Sequence, residues 1–265
     1  MAHEIFISTD GTFLSSLRYI DTRLEPFKKS GEVTARITKT GERSVLTVAF
    51  DGAARAQTAK ERKGDSDTAR KIAAVLVDAI ADVVITDCKF HFIESSIKLS
   101  IEDKICHHAF IRALSSFDRS TDKAIAKSLV HLSENFLLDS FYAFSIDTLK
   151  QRWQEVCALA NDNACFLVCD GTFRELLRFL ISNLESHAPE VHLFNRAGRV
   201  EMLANNLKPI NVYVNDELPE AAALVSKLIQ IAPKRIFLHQ EDVAKSPVID
   251  IIQNLFGGCV QVVQN

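Results

Sequence analysis

The sequence lacks the signatures of a phosphate-binding or hydrolytic enzyme. Its 265 residues include only nine glycines. They form neither the Gly-x-x-x-x-Gly-Lys-Ser/Thr loop nor the Gly-x-Gly-x-x-Gly loop that brings backbone amides around a phosphate. Neither Gly-x-Ser-x-Gly nor His-Glu-x-x-His occurs. These absences argue against an enzyme, although a site assembled from distant residues needs no local motif.

The sequence also lacks a long hydrophobic run and an excess of charge of one sign. A helix needs about 20 apolar residues to span a bilayer, and the longest apolar stretch, 72–85, is interrupted by Asp78 and Asp82. The N-terminus has neither the basic start nor the apolar core of a secretory signal. A net charge of -3 disfavours nucleic acid as a partner, because its binding proteins concentrate Lys and Arg against phosphates. We therefore expect a cytoplasmic protein without a membrane partner.

Cysteine is too sparse for a disulfide scaffold, since the chain has six. Cys157, Cys165 and Cys169 share helical i+4 spacing. Structural zinc sites instead repeat pairs two to four residues apart, and only the last two cysteines have that spacing. Residues 106–108 read Cys-His-His, and adjacent helical side chains diverge. Packing in the core is the favoured interpretation of these cysteines, so we expect no metal and no cofactor.

Hydrophobic periodicity divides the chain into three segments. Residues 1–67 predict an N-terminal α/β module: strand, helix, a hairpin formed by 33–38 and 44–50, and a mobile surface loop over 51–67 that has no apolar period. Residues 68–187 predict a helical region, including one helix over Asp122–Leu138. A Thr-x-x-Glu capping box starts its last helix at Thr172.

Residues 188–265 predict a small C-terminal α/β module. It consists of a hairpin (190–195 and 199–204), a helix (218–231), a strand (235–239), a helix (247–256) and a strand (259–263). The predicted fold class is therefore mixed α+β.

Three polar side chains are candidate contacts for a ligand or anion. Arg174 and Arg178 lie one helical turn apart, where guanidinium groups can hold a carboxylate or phosphate. The alternative is a solvated face on which Glu175 pairs with Arg178. His239 ends a predicted strand, and ligands of open α/β sheets collect beyond the carboxyl ends of strands. Its alternative is a hydrogen-bonded structural role, and we assign no catalytic residue.

Four stretches carry a resemblance to a known family. They are Ile72–Asp82, Ser100–Lys104, Phe173–Phe179 with Pro189–His192, and Leu228–His239. These stretches resemble the YtxC family, which is associated with sporulation in endospore-forming bacteria, over roughly residues 70–265. The resemblance implies a setting in sporulation and no particular activity.

The sequence thus predicts a non-enzymatic cytoplasmic protein that acts through a protein partner. The first alternative is an enzyme or small-ligand-binding protein with a site at the edge of the C-terminal sheet. A cleft lined by Arg174, Arg178 and His239 would favour it. The weaker alternative is a nucleic-acid-binding factor, which a continuous basic face would favour.

Overall fold

The computed structural model describes residues 2–11, 13–51, 59–99, 103–162, 170–196, 199–210, 212, 218–239 and 247–263. The strands are β1 (Ala2–Thr9), β2 (Val33–Thr40), β3 (Arg43–Asp51), β4 (Asn135–Leu137), β5 (Glu190–Arg196), β6 (Arg199–Ala204), β7 (Arg235–His239) and β8 (Val260–Val263). The α-helices are α1 (Leu14–Arg23), α2 (Glu25–Lys29), α3 (Ala59–Val83), α4 (Lys89–Ser96), α5 (Lys104–Ser116), α6 (Arg119–Leu129), α7 (Leu138–Phe144), α8 (Asp147–Asp162), α9 (Asp170–Ser182), α10 (Glu220–Ile231) and α11 (Pro247–Phe256). The predicted mixed α+β class with a helical middle is confirmed.

The chain forms two compact units, and each is assembled from two separate stretches of sequence. Unit 1 contains residues 1–89 and 120–152, and unit 2 contains residues 90–119 and 153–265. The division into domains at 67 and 187 stays a prediction. No helix in the described ranges is long and apolar enough to cross a membrane.

Unit 1 is built around a sheet with the strand order β2-β3-β1-β4. The predicted hairpin is present as β2 and β3, and β1 pairs antiparallel with β3 along its whole length. Gly41 takes a φ of +65° in the turn between β2 and β3, a conformation that glycine adopts without steric cost. Alternate residues of these strands, such as Ile7, Leu46 and Val48, are buried, as expected for a sheet with one face in the core.

The predicted helix over Asp122–Leu138 is wrong in its second half. Helix α6 ends at Leu129, and Asn135–Leu137 forms β4, which pairs parallel with β1. Phe136 continues the helical spacing of the preceding apolar residues, but it is buried opposite Ile7. A pairing between segments about 130 residues apart overrides the local pattern, because tertiary contacts outweigh helix propensity.

The predicted loop over 51–67 is shorter in the structure. Helix α3 begins at Ala59, whereas residues 52–58 lie outside the described ranges. The first turns of α3 are rich in Ala, Lys, Glu and Arg, residues of high helix propensity. Their sequence has no apolar period. Hydrophobic periodicity therefore does not reveal these turns, and the mobility of the loop stays a prediction.

Unit 2 contains a second sheet, with the order β6-β5-β7-β8. Strands β5 and β6 form an antiparallel hairpin, while β5–β7 and β7–β8 are parallel pairs. One face of this sheet packs in a core with α5, α9, α10 and α11. Its buried members include Val191, Leu193, Ile236, Leu238, Leu177, Leu228 and Ile252. The residues between these strand positions point to the opposite face.

Candidate functional site

The outer face of the second sheet carries two histidines and two phenylalanines. His192 and Phe194 alternate with the core residues of β5, and Phe237 and His239 alternate with those of β7. The parallel register sets His192 opposite Phe237 and Phe194 opposite His239. We call these four residues, all half-buried, the histidine–phenylalanine cluster.

The rings of the cluster contact one another closely. His192 Nδ1 lies 2.9 Å from His239 Nε2, so one ring donates a hydrogen bond and the other accepts it. The Phe194 and His239 rings stack with centroids 4.2 Å apart and planes 9° apart. His192 stacks on Phe237 at 4.9 Å. Each ring of the cluster therefore has at least one face in contact with another ring.

Burial lowers the pKa of His192, and the neighbouring His239 lowers it further. The lowered pKa favours the neutral form of His192, which can either donate or accept the hydrogen bond to His239. The Nδ1 atom of His239 is buried and has no hydrogen-bond partner among the described residues. Beside the cluster, Arg235 pairs with Glu190 where β7 and β5 begin.

A pocket of about 490 Å³ lies at the other end of β7, also within unit 2. It is formed by the end of α9, the segment that links α10 to β7, and the turn between α11 and β8. Lys234, which precedes β7, lines it, whereas His239 ends β7 roughly 16 Å further along the strand. We call it the α9–α11 pocket.

The charged side chains that line the α9–α11 pocket are all basic. They are Arg178 and Lys234, and neither Asp nor Glu is among the lining residues. Arg178 donates a hydrogen bond from Nε to the backbone oxygen of Asn254 in α11. This contact leaves its two terminal nitrogens available, and paired guanidinium N–H groups match the oxygens of a carboxylate or phosphate.

The three predicted contacts do not meet in one site. Arg178 lines the pocket and His239 belongs to the cluster on the sheet. Arg174 is exposed on α9. Burial raises the pKa of Asp103, but backbone hydrogen bonds to its carboxylate lower it, and the charge of Arg174 lowers it further. Whether any of the three contacts a ligand stays a prediction.

Sequence reasoning missed two functional candidates. His192 was not singled out, although His192-x-Phe194 and Phe237-x-His239 are matching two-residue patterns on predicted strands. Lys234 precedes β7, whereas the sequence argument favours residues at the carboxyl end of a strand, so it is not among the predicted contacts. Lys234 and Arg178 line the same pocket because separate elements pack together, and no local sequence pattern reveals this.

The cysteines occupy different environments. Cys157 and Cys106 are buried in the core of unit 2, as expected for cysteines that pack as small apolar residues. Cys165 and Cys169 lie outside the described residues. Within the described residues, no group of three His, Cys, Asp or Glu side chains is placed to hold a metal ion.

A family model described as the YtxC-like family matches residues 74–261. The same sequence matches no curated protein and no solved structure.

Proposed function

Because the chain belongs to the YtxC-like family, we propose that it is a sporulation-associated protein of the cytoplasm that binds a protein partner and catalyses no reaction. The sporulation setting rests on the resemblance of the four sequence stretches described above. The partner-binding role is supported by one feature of unit 2, the open edge of its sheet at β8.

Strand β8 ends the second sheet and pairs with β7 alone among the described strands. The strand at the opposite edge, β6, is partly covered by a following segment of the chain. Residues 208–210 turn back along it, with Ala204 N–H donating to Lys208 and Ile210 N–H donating to Met202. An exposed strand edge presents unpaired N–H and C=O groups that can accept a strand from another chain.

An apolar side chain stands on the open edge strand. Val262 is 45% exposed although it pairs in register with the buried Leu238. A partner segment that adds to β8 would cover Val262 and pair the free backbone groups. An extended segment of a partner protein is thus the occupant we propose for this edge.

The test is complementation of a deletion strain, scored by sporulation efficiency. A partner strand would cover Val262, so Val262→Lys replaces an apolar interface contact with a charge and is expected to lower the number of spores at least about tenfold. Gln261→Lys adds the same charge at the neighbouring exposed position, whose side chain lies on the other face of the strand, and is the matched control. Soluble protein must stay at the wild-type level in both strains.

Equal sporulation by the two variants at equal protein level would contradict partner binding through β8.

Different observations bear on the two alternative functions. The α9–α11 pocket favours the ligand-binding alternative at the C-terminal sheet. The nucleic-acid alternative has weaker support from the sheet face, because base recognition on a sheet needs exposed ring faces for stacking and the rings of the histidine–phenylalanine cluster stack on each other.

A further inference from the structure

We propose that the α9–α11 pocket binds a small organic anion, in which a carboxylate or phosphate group is attached to an apolar body. This site goes beyond partner binding at β8 and does not depend on it. The charge of the pocket, the anchoring of Arg178, the apolar walls and the backbone at the following turn all fit such a ligand.

The charge of the pocket is uncompensated. Arg178 and Lys234 both line it, and its other lining residues are apolar, hydroxyl-bearing, thiol-bearing or glycine. Apart from the Arg178 hydrogen bond to Asn254, the two side chains have no hydrogen-bond or ion-pair partner in the described part of the chain. Two cations facing one recess without a carboxylate attract an anion and are relieved of mutual repulsion when it binds.

The guanidinium group of Arg178 is held in place before any ligand arrives. Its Nε–H is used by the backbone oxygen of Asn254, which ties α9 to α11. The terminal nitrogens then project from a fixed group, so less side-chain freedom is lost when an anion is bound. The ammonium group of Lys234 adds a second, more flexible donor.

The inner wall of the pocket is apolar. Ile181, Leu255 and Phe256 are buried side chains that line it, and Phe179 lines it with 63% of its surface exposed. A volume of about 490 Å³ falls in the range of small-molecule sites, which are mostly apolar with a few polar groups that fix orientation. An inorganic ion alone would leave these walls uncovered, which is why the anionic group is expected to carry an apolar body.

Glycines leave room on the side of the turn that follows α11. A Cβ built on Gly258 meets no atom within 4 Å, so the backbone there borders open space and a ligand can approach it closely. A larger side chain at position 258, which lines the pocket, therefore meets no steric obstacle and leaves the charge of the pocket unchanged. Gly257 is unsuitable for this purpose because its φ of +47° strains any other residue.

The test measures binding of four probes to the full-length chain by isothermal titration calorimetry. Phenyl phosphate and phenylacetate differ in the anionic group, benzyl alcohol lacks the charge, and inorganic phosphate lacks the apolar body. We expect at least one of the two aromatic anions to bind with a Kd of about 1 mM or tighter. The neutral probe and the bare ion should bind at least about tenfold more weakly.

Three variants locate the site. Arg178→Gln and Lys234→Gln should each weaken the aromatic anion at least about tenfold, and Gly258→Leu should abolish its binding by filling the pocket. Lys208→Gln removes the same charge from an exposed turn outside the pocket and should bind as the wild type does. Arg178 and Lys234 are exposed, so their variants remain informative if Gly258→Leu fails to fold.

The proposal is overturned if neither aromatic anion binds at about 10 mM, or if binding is the same in the wild type and in the folded Arg178 and Lys234 variants. Tighter binding of phenyl phosphate would identify a phosphate ligand, and tighter binding of phenylacetate a carboxylate. Failure of this test leaves the β8 complementation result unaffected, because Val262 and Gln261 do not line the pocket.

Discussion

At the scale of single residues, unit 1 concentrates charge around Asp78. Its carboxylate lies 2.9 Å from Arg23, 3.1 Å from Lys123 and 2.5 Å from Lys127. Burial on its own would raise the pKa of Asp78, but hydrogen bonds and charges from these cations lower it to about 2. The group is only partly buried, so solvent screens much of the attraction.

We predict that Asp78→Asn lowers the free energy of unfolding by about 1 kcal/mol at neutral pH. Because the folded pKa lies below the ordinary value of 3.8, the stabilisation is complete above about pH 4. It is lost as pH falls towards 2, where the unfolded chain takes up the proton first. The difference between wild type and variant should therefore shrink below about pH 4, as measured by urea unfolding across this range.

Asp147→Asn is the control for this prediction. The Asp147 side chain is 72% exposed and its nearest cation, on Lys150, is 3.7 Å away. An exposed pair of this kind contributes little. Asp147 also lies in the first turn of α8, where an exposed carboxylate contributes a few tenths of a kcal/mol through the helix dipole, so the variant should lose less stability than Asp78→Asn does. A difference between Asp78→Asn and wild type that persists unchanged at the acid end would show that the effect is packing and not charge.

At the scale of elements, the parts predicted best are those whose signals are local. Strand β7 and helix α11 have the predicted bounds, and the β2–β3 hairpin follows from alternation around a glycine turn. Strand β4 was missed because its three residues belong to an apolar helical pattern and are fixed by pairing with β1. The same limit applies to the candidate sites. His239 is predicted from its own strand, but its hydrogen bond to His192 and the presence of Arg178 and Lys234 in one pocket depend on how separate elements pack.

Helix α10 ends in a way that the sequence did not reveal. Its C-cap residue, Ala232, has a φ of 44° and a ψ of 59°, and its N–H donates to Leu228. This left-handed conformation costs a residue with a Cβ roughly 1 kcal/mol, and glycine is the usual residue at such helix ends. Pro233 follows directly and prevents the helix from continuing.

We predict that Ala232→Gly raises the free energy of unfolding by about 0.5 kcal/mol, the relief of strain being partly offset by the greater freedom of glycine in the unfolded chain. Ala223→Gly, inside the same helix, should lower it by about 1 kcal/mol. If the backbone conformation decides the effect at position 232, chemical denaturation gives changes in the free energy of unfolding that have opposite signs in the two variants. The methyl group of Ala232 is only 7% exposed. A loss of stability in both variants would mean that packing of this group stabilises the fold by more than the left-handed conformation costs.

At the scale of the whole molecule, the chain contributes two separate stretches to unit 1. The first stretch supplies β1, β2 and β3, and the second supplies α6, β4 and α7. In the described sheet β4 has one strand neighbour, β1. Thr9 and Asp10 also donate hydrogen bonds to the carboxylate of Asp139 in α7. The N-terminal stretch and residues 120–152 therefore share one core, although the family match begins only at residue 74.

The prediction that residues 1–67 form a module of their own is tested by removing them. We predict that a chain lacking residues 1–67 loses hydrogen-exchange protection in α6 and α7, because β4 loses its neighbour and the apolar face of the sheet disappears. Helix α10 and strand β7 should keep their protection, since their buried contacts lie within unit 2. Ile7→Asp, which places a carboxylate at a fully buried position of β1, should give the same pattern in the full-length chain, and Glu4→Lys at an exposed position of the same strand should not. If α6 and α7 stay protected after the deletion, residues 1–67 are an independent domain and the shared core contributes little to their stability.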